Sequence, residues 1–179
     1  MADVSVRPAA PNDAAEIARI QVVTWQFGYA SILPAAVLEQ VTEQAALVAW
    51  TQALTDPPTP QHRVLVAQEG AAVVGFTVLA PPEDLQPDDP EPQTTIAIGP
   101  VLVEPRWGRR GHGSRLMAAA VDLAREDGMT RAVSWVPEAD TVTREFLVGA
   151  GWAPDGLVRA LDTGAGELRE IRLHVSLAS

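Results

Sequence analysis

The residues able to do chemistry are concentrated in Val103-Glu104-Pro105-Arg106-Trp107-Gly108-Arg109-Arg110-Gly111-His112-Gly113-Ser114. This stretch lies between a strand-like run and an amphipathic one, so it opens a helix whose first N–H groups have no intrahelical acceptor. Those groups and the positive end of the helix dipole favour an anion, and Gly111 and Gly113 let the backbone turn and approach a phosphate closely. Between Pro105 and Val121 stand four arginines and no acid, inside a chain of net charge −10. A polyanionic ligand is drawn to this end. The overall charge argues against nucleic acid or an anionic membrane surface as a partner.

Composition narrows the chemistry further. All thirteen basic residues are arginines, and there is no cysteine. A P-loop needs a lysine after its glycines, and the dinucleotide fingerprint needs Gly or Ala where Leu116 stands, so both rival phosphate motifs fail. Without Lys or Cys there is no Schiff base, thiol nucleophile or thiolate zinc site. The three histidines, His62, His112 and His174, show no i, i+4 spacing, and no G-x-S-x-G turn presents a serine, so no metal is expected. No apolar run reaches the length of a membrane helix. The opening residues lack the basic start and apolar core of a secretory signal, which makes a cytoplasmic location the expectation.

The positioning elements follow from periodicity. Val4-Ser5-Val6 reads as a strand, and Ile17, Ile20, Thr24 and Phe27 mark one face of a first helix. Pro34 starts a short helical turn, and Leu47, Trp50 and Leu54 stripe a longer helix that Pro57-Pro58 stops. Val64–Val66 and Val73–Leu79 form a hairpin around Glu69-Gly70. Residues 81–92, with five prolines and five acids, read as a solvated loop. Thr94–Val103 is a strand broken at Gly99-Pro100, where the missing proline N–H predicts parting from a neighbour. Ser114–Asp127 is a helix ended by Gly128, Arg131–Val136 a strand, and Asp140–Val148 a helix. A final hairpin pairs Leu157–Leu161 with Leu168–Val175. The length and order predict one mixed α/β (α+β) domain over residues 4–175.

With these motifs in place, the chain resembles the GCN5-related N-acetyltransferase (GNAT) family, whose Gln/Arg-x-x-Gly-x-Gly/Ala strand-loop-helix holds the acetyl-CoA pyrophosphate. The resemblance extends to the opening Val-Arg-Pro-Ala-Ala-Pro-Asn-Asp-Ala-Ala-Glu-Ile, to Ile96–Pro105 and to Phe146-Leu147-Val148-Gly149-Ala150-Gly151-Trp152. It implies a mixed, mostly antiparallel sheet splayed at a cofactor groove, with helices on both faces. It also implies acetyl-CoA as cosubstrate and an amine as acceptor, with a homodimer left open. Backbone groups of Val101 and Val103 would pair with pantetheine, and the loop Arg109, Arg110, Gly111, His112, Gly113, Ser114 would hold pyrophosphate. Asp140 stands where the family often has an asparagine touching pantetheine. Trp25 and Tyr29, four apart, have the spacing of a core-facing aromatic pair. The resemblance places their helix at the acceptor site.

The chain departs from the family in three places. Gly108 replaces the first loop residue, with Arg106 and Arg109 nearby to compensate. Ala97 stands where many members carry a glutamate base, and Leu147 where a tyrosine acid is frequent. An alkyl amine resembles lysine, with a pKa of about 10.4, so a base must take its proton before attack. Glu138 is the expected base, directly or through water. With no cysteine to carry an acyl group, direct transfer in a ternary complex is expected. The alternative is a catalytically degenerate CoA-binding sensor or interaction module, motivated by Ala97 and Leu147.

Overall fold

The computed structural model describes residues 3–178. Its sheet runs β1 (Val4–Pro8), β2 (Arg63–Glu69), β3 (Ala72–Ala80), β4 (Thr95–Ile98), β6 (Arg131–Pro137), β8 (Glu167–Ser176), β7 (Ala153–Asp162), with β5 (Leu102–Val103) pairing β3 alone. All pairings are antiparallel except β4 with β6. The helices are α1 (Ala14–Gly28), α2 (Ala35–Leu38), α3 (Glu43–Thr55), α4 (His112–Glu126) and α5 (Thr141–Gly149). Among the described residues no helix is long and apolar enough to cross a membrane.

Strand alternation explains why both faces of the sheet are covered. In β2, Leu65 and Ala67 join the α4 side of the core while Val66 faces α1, because successive side chains point to opposite faces. On the α1 face Ile17 and Ile20 pack on Val66 and Phe76, and the Trp50 ring of α3 meets Phe76 edge-on with centroids 5.1 Å apart. On the other face α4 buries Leu116, Met117, Ala120 and Ala124 at helical spacing. Its end is a Schellman motif: Gly128 at φ 78° lets its own N–H reach Arg125 and the Met129 N–H reach Ala124. The helix begins at His112, two residues before the expected Ser114.

The break at Gly99-Pro100 parts the sheet. β4 pairs β6 only through Thr95–Arg131, Ile96–Ala132 and Ala97–Val133, and beyond Val133 β6 pairs β8 alone. After Pro100 the chain returns to β3 as β5, and Gly75 is required there, since a Cβ would lie 2.6 Å from the Leu102 carbonyl oxygen. The splayed sheet expected from Pro100 is present.

Two expectations need correction. Residues 81–92 are not a purely solvated loop: Asp89 is buried, and its carboxylate is clasped by Arg172. Arg172 also donates to Asp155 at 2.6 Å, and Arg131 lies 3.2 Å from Asp155 and 3.5 Å from Asp89. Two guanidiniums and two carboxylates thus neutralise each other where a lone charge would be too costly to bury. The Arg172 hydrogen bond holds the Asp89 carboxyl below its ordinary range. This cluster fixes the proline-rich segment to β6 and β8. Phe27, expected inward, is 75% exposed, because Trp25 in the last turn of α1 and Tyr29 at its C-cap take the inward positions.

Candidate active site

The α4 N-terminus has the backbone form of an N–H cradle. Arg109 at φ 60° and Gly111 at φ 82° are left-handed, a backbone arrangement that turns neighbouring N–H groups into a concavity. Gly111 caps α4 without any side-chain hydrogen bond, and the first intrahelical bond runs from the Arg115 N–H to the Gly111 carbonyl at 3.1 Å. The N–H groups of His112, Gly113 and Ser114 in the first turn therefore stay open to a ligand. A non-glycine residue held at positive φ, as Arg109 is, stores strain of the kind found at ligand clamps.

Two carboxylates that the sequence reading missed hold this loop. Glu69, at the end of β2, accepts from Arg110 at 3.0 Å and lies 2.8 Å from His112 Nε2, whose ring is 1% exposed. Glu104 accepts from Arg19 of α1 at 3.0 Å and from Arg106 at 2.7 Å, and the Arg19 hydrogen bond keeps its carboxyl below the usual range. His112 is thus a buried strut, and its side chain faces away from any ligand. Of the four loop arginines only Arg109 and Arg115 lack a carboxylate partner among the described residues. The local positive field is correspondingly smaller than the charge count implied.

From the cradle a narrow slot of about 30 Å³ follows the parting between β5 and β6, bordered by Val101, Met117, Thr143 and Phe146. The Glu104 N–H donates to the Val74 carbonyl at 2.9 Å. Alternate residues of a strand direct their backbone groups to opposite sides, so those of Val101 and Val103 face away from β3, toward the parted edge. The Val101 N–H has no backbone acceptor among the described residues. Gly113 overlooks the slot: a Cβ there would lie 3.6 Å from Phe146 and 3.8 Å from Val101.

The slot opens into a cavity of about 800 Å³ on the far side of the parting. Tyr29, Gly99, Pro100, Ser134, Trp135 and Pro137 border both spaces and form the neck between them. Trp25 and Tyr29 line the cavity with their rings 5.7 Å apart and tilted by 59°, so the pair both packs and faces the site. Ala97 lines it too, with no side chain able to move a proton. Leu147 is 2% exposed and borders the slot.

The structure does not bring Glu138 to this cavity. β6 ends at Pro137, which pairs with Glu170, and the next residue turns to the opposite side. There Glu138 accepts from Arg169 at 3.0 Å in the open. Asp140 is occupied as the cap of α5, accepting from the Thr143 N–H at 3.0 Å and its hydroxyl at 2.6 Å. Of the carboxylates lining the cavity, Glu83, Asp84, Asp162 and Glu170, only Glu170 of β8 is buried; its Oε2 accepts from Arg159 Nε at 2.6 Å and its Oε1 has no hydrogen-bond partner among the described residues. Its only signal in the sequence is an acid at an inward position of the β8 alternation, two residues from Arg172.

Burial pushes the Tyr29 phenol up to about 12, with the charges of Asp140 and Glu170 adding to the shift. The neck therefore carries a phenol that stays protonated at neutral pH. Tyr29 is the chain's one tyrosine, so near-ultraviolet phenolate absorbance reads it alone. Little ionisation is expected at pH 10, where an ordinary tyrosine is half ionised. Asp140→Asn, which keeps the cap but removes the charge, should lower the midpoint. Half ionisation near pH 10 in the wild-type protein would contradict this placement.

Residues 30–151 match the model of the Acetyltransferase (GNAT) family. No curated protein sequence matches the chain significantly. Among solved structures, a ribosomal-protein-alanine N-acetyltransferase from Brucella melitensis superposes with a TM-score of 0.74 at 17% identity, covering 96% of this chain and 99% of that one. The PaiA N-acetyltransferase from Thermoplasma acidophilum, in complex with coenzyme A, gives 0.72 at 13% identity over 97% and 99%. YncA, a putative acetyltransferase from Salmonella typhimurium with its cofactor acetyl-CoA, gives 0.68 at 18% identity over 98% and 95%. The family model covers more than half of the chain and the fold agrees with it from β1 to β8: this protein belongs to the GNAT acetyltransferase family.

Proposed function

We propose that the protein moves an acetyl group from acetyl-CoA to an amine by direct transfer in a ternary complex. The observation that carries this reading is the alignment of an uncapped helix N-terminus, a slot between parted strands and a large cavity meeting that slot at one neck. The similar T. acidophilum and S. typhimurium proteins, which hold coenzyme A and acetyl-CoA, support it.

Each part of the chain then has a task. The first N–H groups of α4, with Arg109 and Arg115, hold the pyrophosphate, and the backbone of Val101 and Val103 pairs with the pantetheine arm. The bound cosubstrate supplies an activated acetyl group at the neck. The Val101 N–H stabilises the negative charge that develops on the thioester oxygen. Glu170 Oε1 takes the proton of the attacking amine, directly or through water, while Oε2 stays fixed by Arg159. Tyr29 donates its proton to the departing sulfur and regains one from Glu170 through solvent, so both groups are restored as the amide and the free thiol leave. These two groups sit on β8 and at the C-cap of α1 and do the work expected of the positions held here by Ala97 and Leu147. The sensor reading loses its main support once a carboxylate and a phenol share the cavity. Incubation with acetyl-CoA and an amine tests the proposal: free thiol should appear in step with amide.

A further inference from the structure

The cavity has two differently charged ends. At the neck the walls are aromatic, with Tyr29 and Trp135 facing the parted strands and the one charged pair beside them, Glu170 with Arg159, mutually compensated. Glu170 stands beside the neck, opposite Pro137, and the other acids of the lining are Glu83, Asp84 and Asp162; among the described lining residues only Arg159 carries a positive charge. Arg159 is already engaged by Asp84 at 2.7 Å and Glu170 at 2.6 Å, and its guanidinium lies 4.4 Å from the centroid of Trp135. Glu83 and Asp162 have no ion-pair partner among the described residues and lie at the exposed rim. Between rim and neck the lining is aliphatic, from Leu33 and Val37 on one side to Leu161 and Leu168 on the other.

We infer that the acetyl acceptor is a diamine or longer polyamine, with one amine reaching the neck and a second cation held at the acidic rim. This rests on the acetyl-transfer reading above. The two ends suit the two amines oppositely. The aromatic neck, with the Arg159 guanidinium 4.4 Å from the Trp135 centroid, disfavours the charged form of an amine, which helps the reacting nitrogen to lose its proton, whereas the rim carboxylates Glu83 and Asp162, unpaired among the described residues, favour a cation that keeps its own. An apolar spacer matches the aliphatic wall between them. An acceptor carrying a carboxylate in place of the second amine would meet like charge and be rejected.

Three probes of equal chain length separate the contributions: cadaverine, pentylamine and δ-aminovalerate. The specificity constant kcat/KM is expected to fall in that order, by about tenfold between the first two and further for the anion, with the gaps narrowing as salt is raised. The double variant Glu83→Gln/Asp162→Asn should lose most of the cadaverine preference while pentylamine turnover stays as it was. Equal use of δ-aminovalerate and cadaverine, or a preference that survives the double variant, overturns the inference. So does transfer to none of the three. Calorimetric titration with acetyl-CoA, run alongside, keeps the two readings apart: binding without transfer to these amines rejects only the acceptor class. No binding rejects the acetyl-transfer reading itself.

Discussion

Glu170→Gln is expected to lower turnover by about 10²-fold or more while leaving acetyl-CoA affinity unchanged, because a positioned base contributes roughly 10²–10⁴-fold. The substitution is conservative where it matters for folding. A glutamine oxygen can still accept from Arg159 Nε, which Glu170 now does at 2.6 Å, and Arg159 retains Asp84 at 2.7 Å. What is lost is an oxygen basic enough to take the amine proton at the cavity wall. A second variant distinguishes this role from packing: Glu170→Ala should be partly rescued by added formate, a small carboxylate able to enter an 800 Å³ cavity. A purely structural role would show a shifted unfolding midpoint and no rescue. Steady-state kinetics with thermal unfolding of both variants decide the matter, and wild-type turnover in Glu170→Gln would remove Glu170 from the reaction.

Gly111→Val is expected to weaken acetyl-CoA binding by about tenfold, read by calorimetric titration. Gly111 sits at φ 82°, where an L-residue pays roughly 1–2 kcal/mol, and 1.4 kcal/mol corresponds to a factor of ten in affinity. Crowding contributes little, since the nearest atom to a new Cβ is the mobile Arg115 Nη1 at 3.2 Å. The loss arises because relaxing the strained φ rotates the peptide groups that converge on the phosphate. Gly113→Ala is the control. Its Cβ would make ordinary contacts at 3.6 Å with Phe146 and 3.8 Å with Val101, so the effect should be smaller. Unchanged affinity in Gly111→Val would place the cosubstrate elsewhere.

What was legible in the sequence was local in origin. The α4 stripe and its Gly128 stop, the β2–β3 hairpin around Gly70 and the break at Gly99-Pro100 each follow from residues a few positions apart, and each stands in the structure. The glycine-bearing turn into α4 was legible for the same reason. What stayed hidden depends on contacts across the chain. Arg172 meets Asp89 from 83 positions away, and Glu69 meets His112 from 43. No periodicity announces such partners, so the acidic loop read as solvated and the loop arginines as free.

Glu138 shows a different limit. Glu138 lies close in sequence to the neck residue Pro137, but strand alternation turns the next residue to the other face. Glu170, directly opposite Pro137 on β8, lines the cavity instead. Nearness along the chain does not carry Glu138 to the cavity wall, whereas nearness across the sheet carries Glu170 there.

The central claim, direct acetyl transfer at the neck between slot and cavity, is tested most directly by following a labelled acetyl group from acetyl-CoA through a single turnover by mass spectrometry. The predicted result is label on the amine alone, one free thiol for each amide formed, and no acetylated protein at any time. Thiol release without amide, or label on the protein before it reaches the amine, would contradict the account.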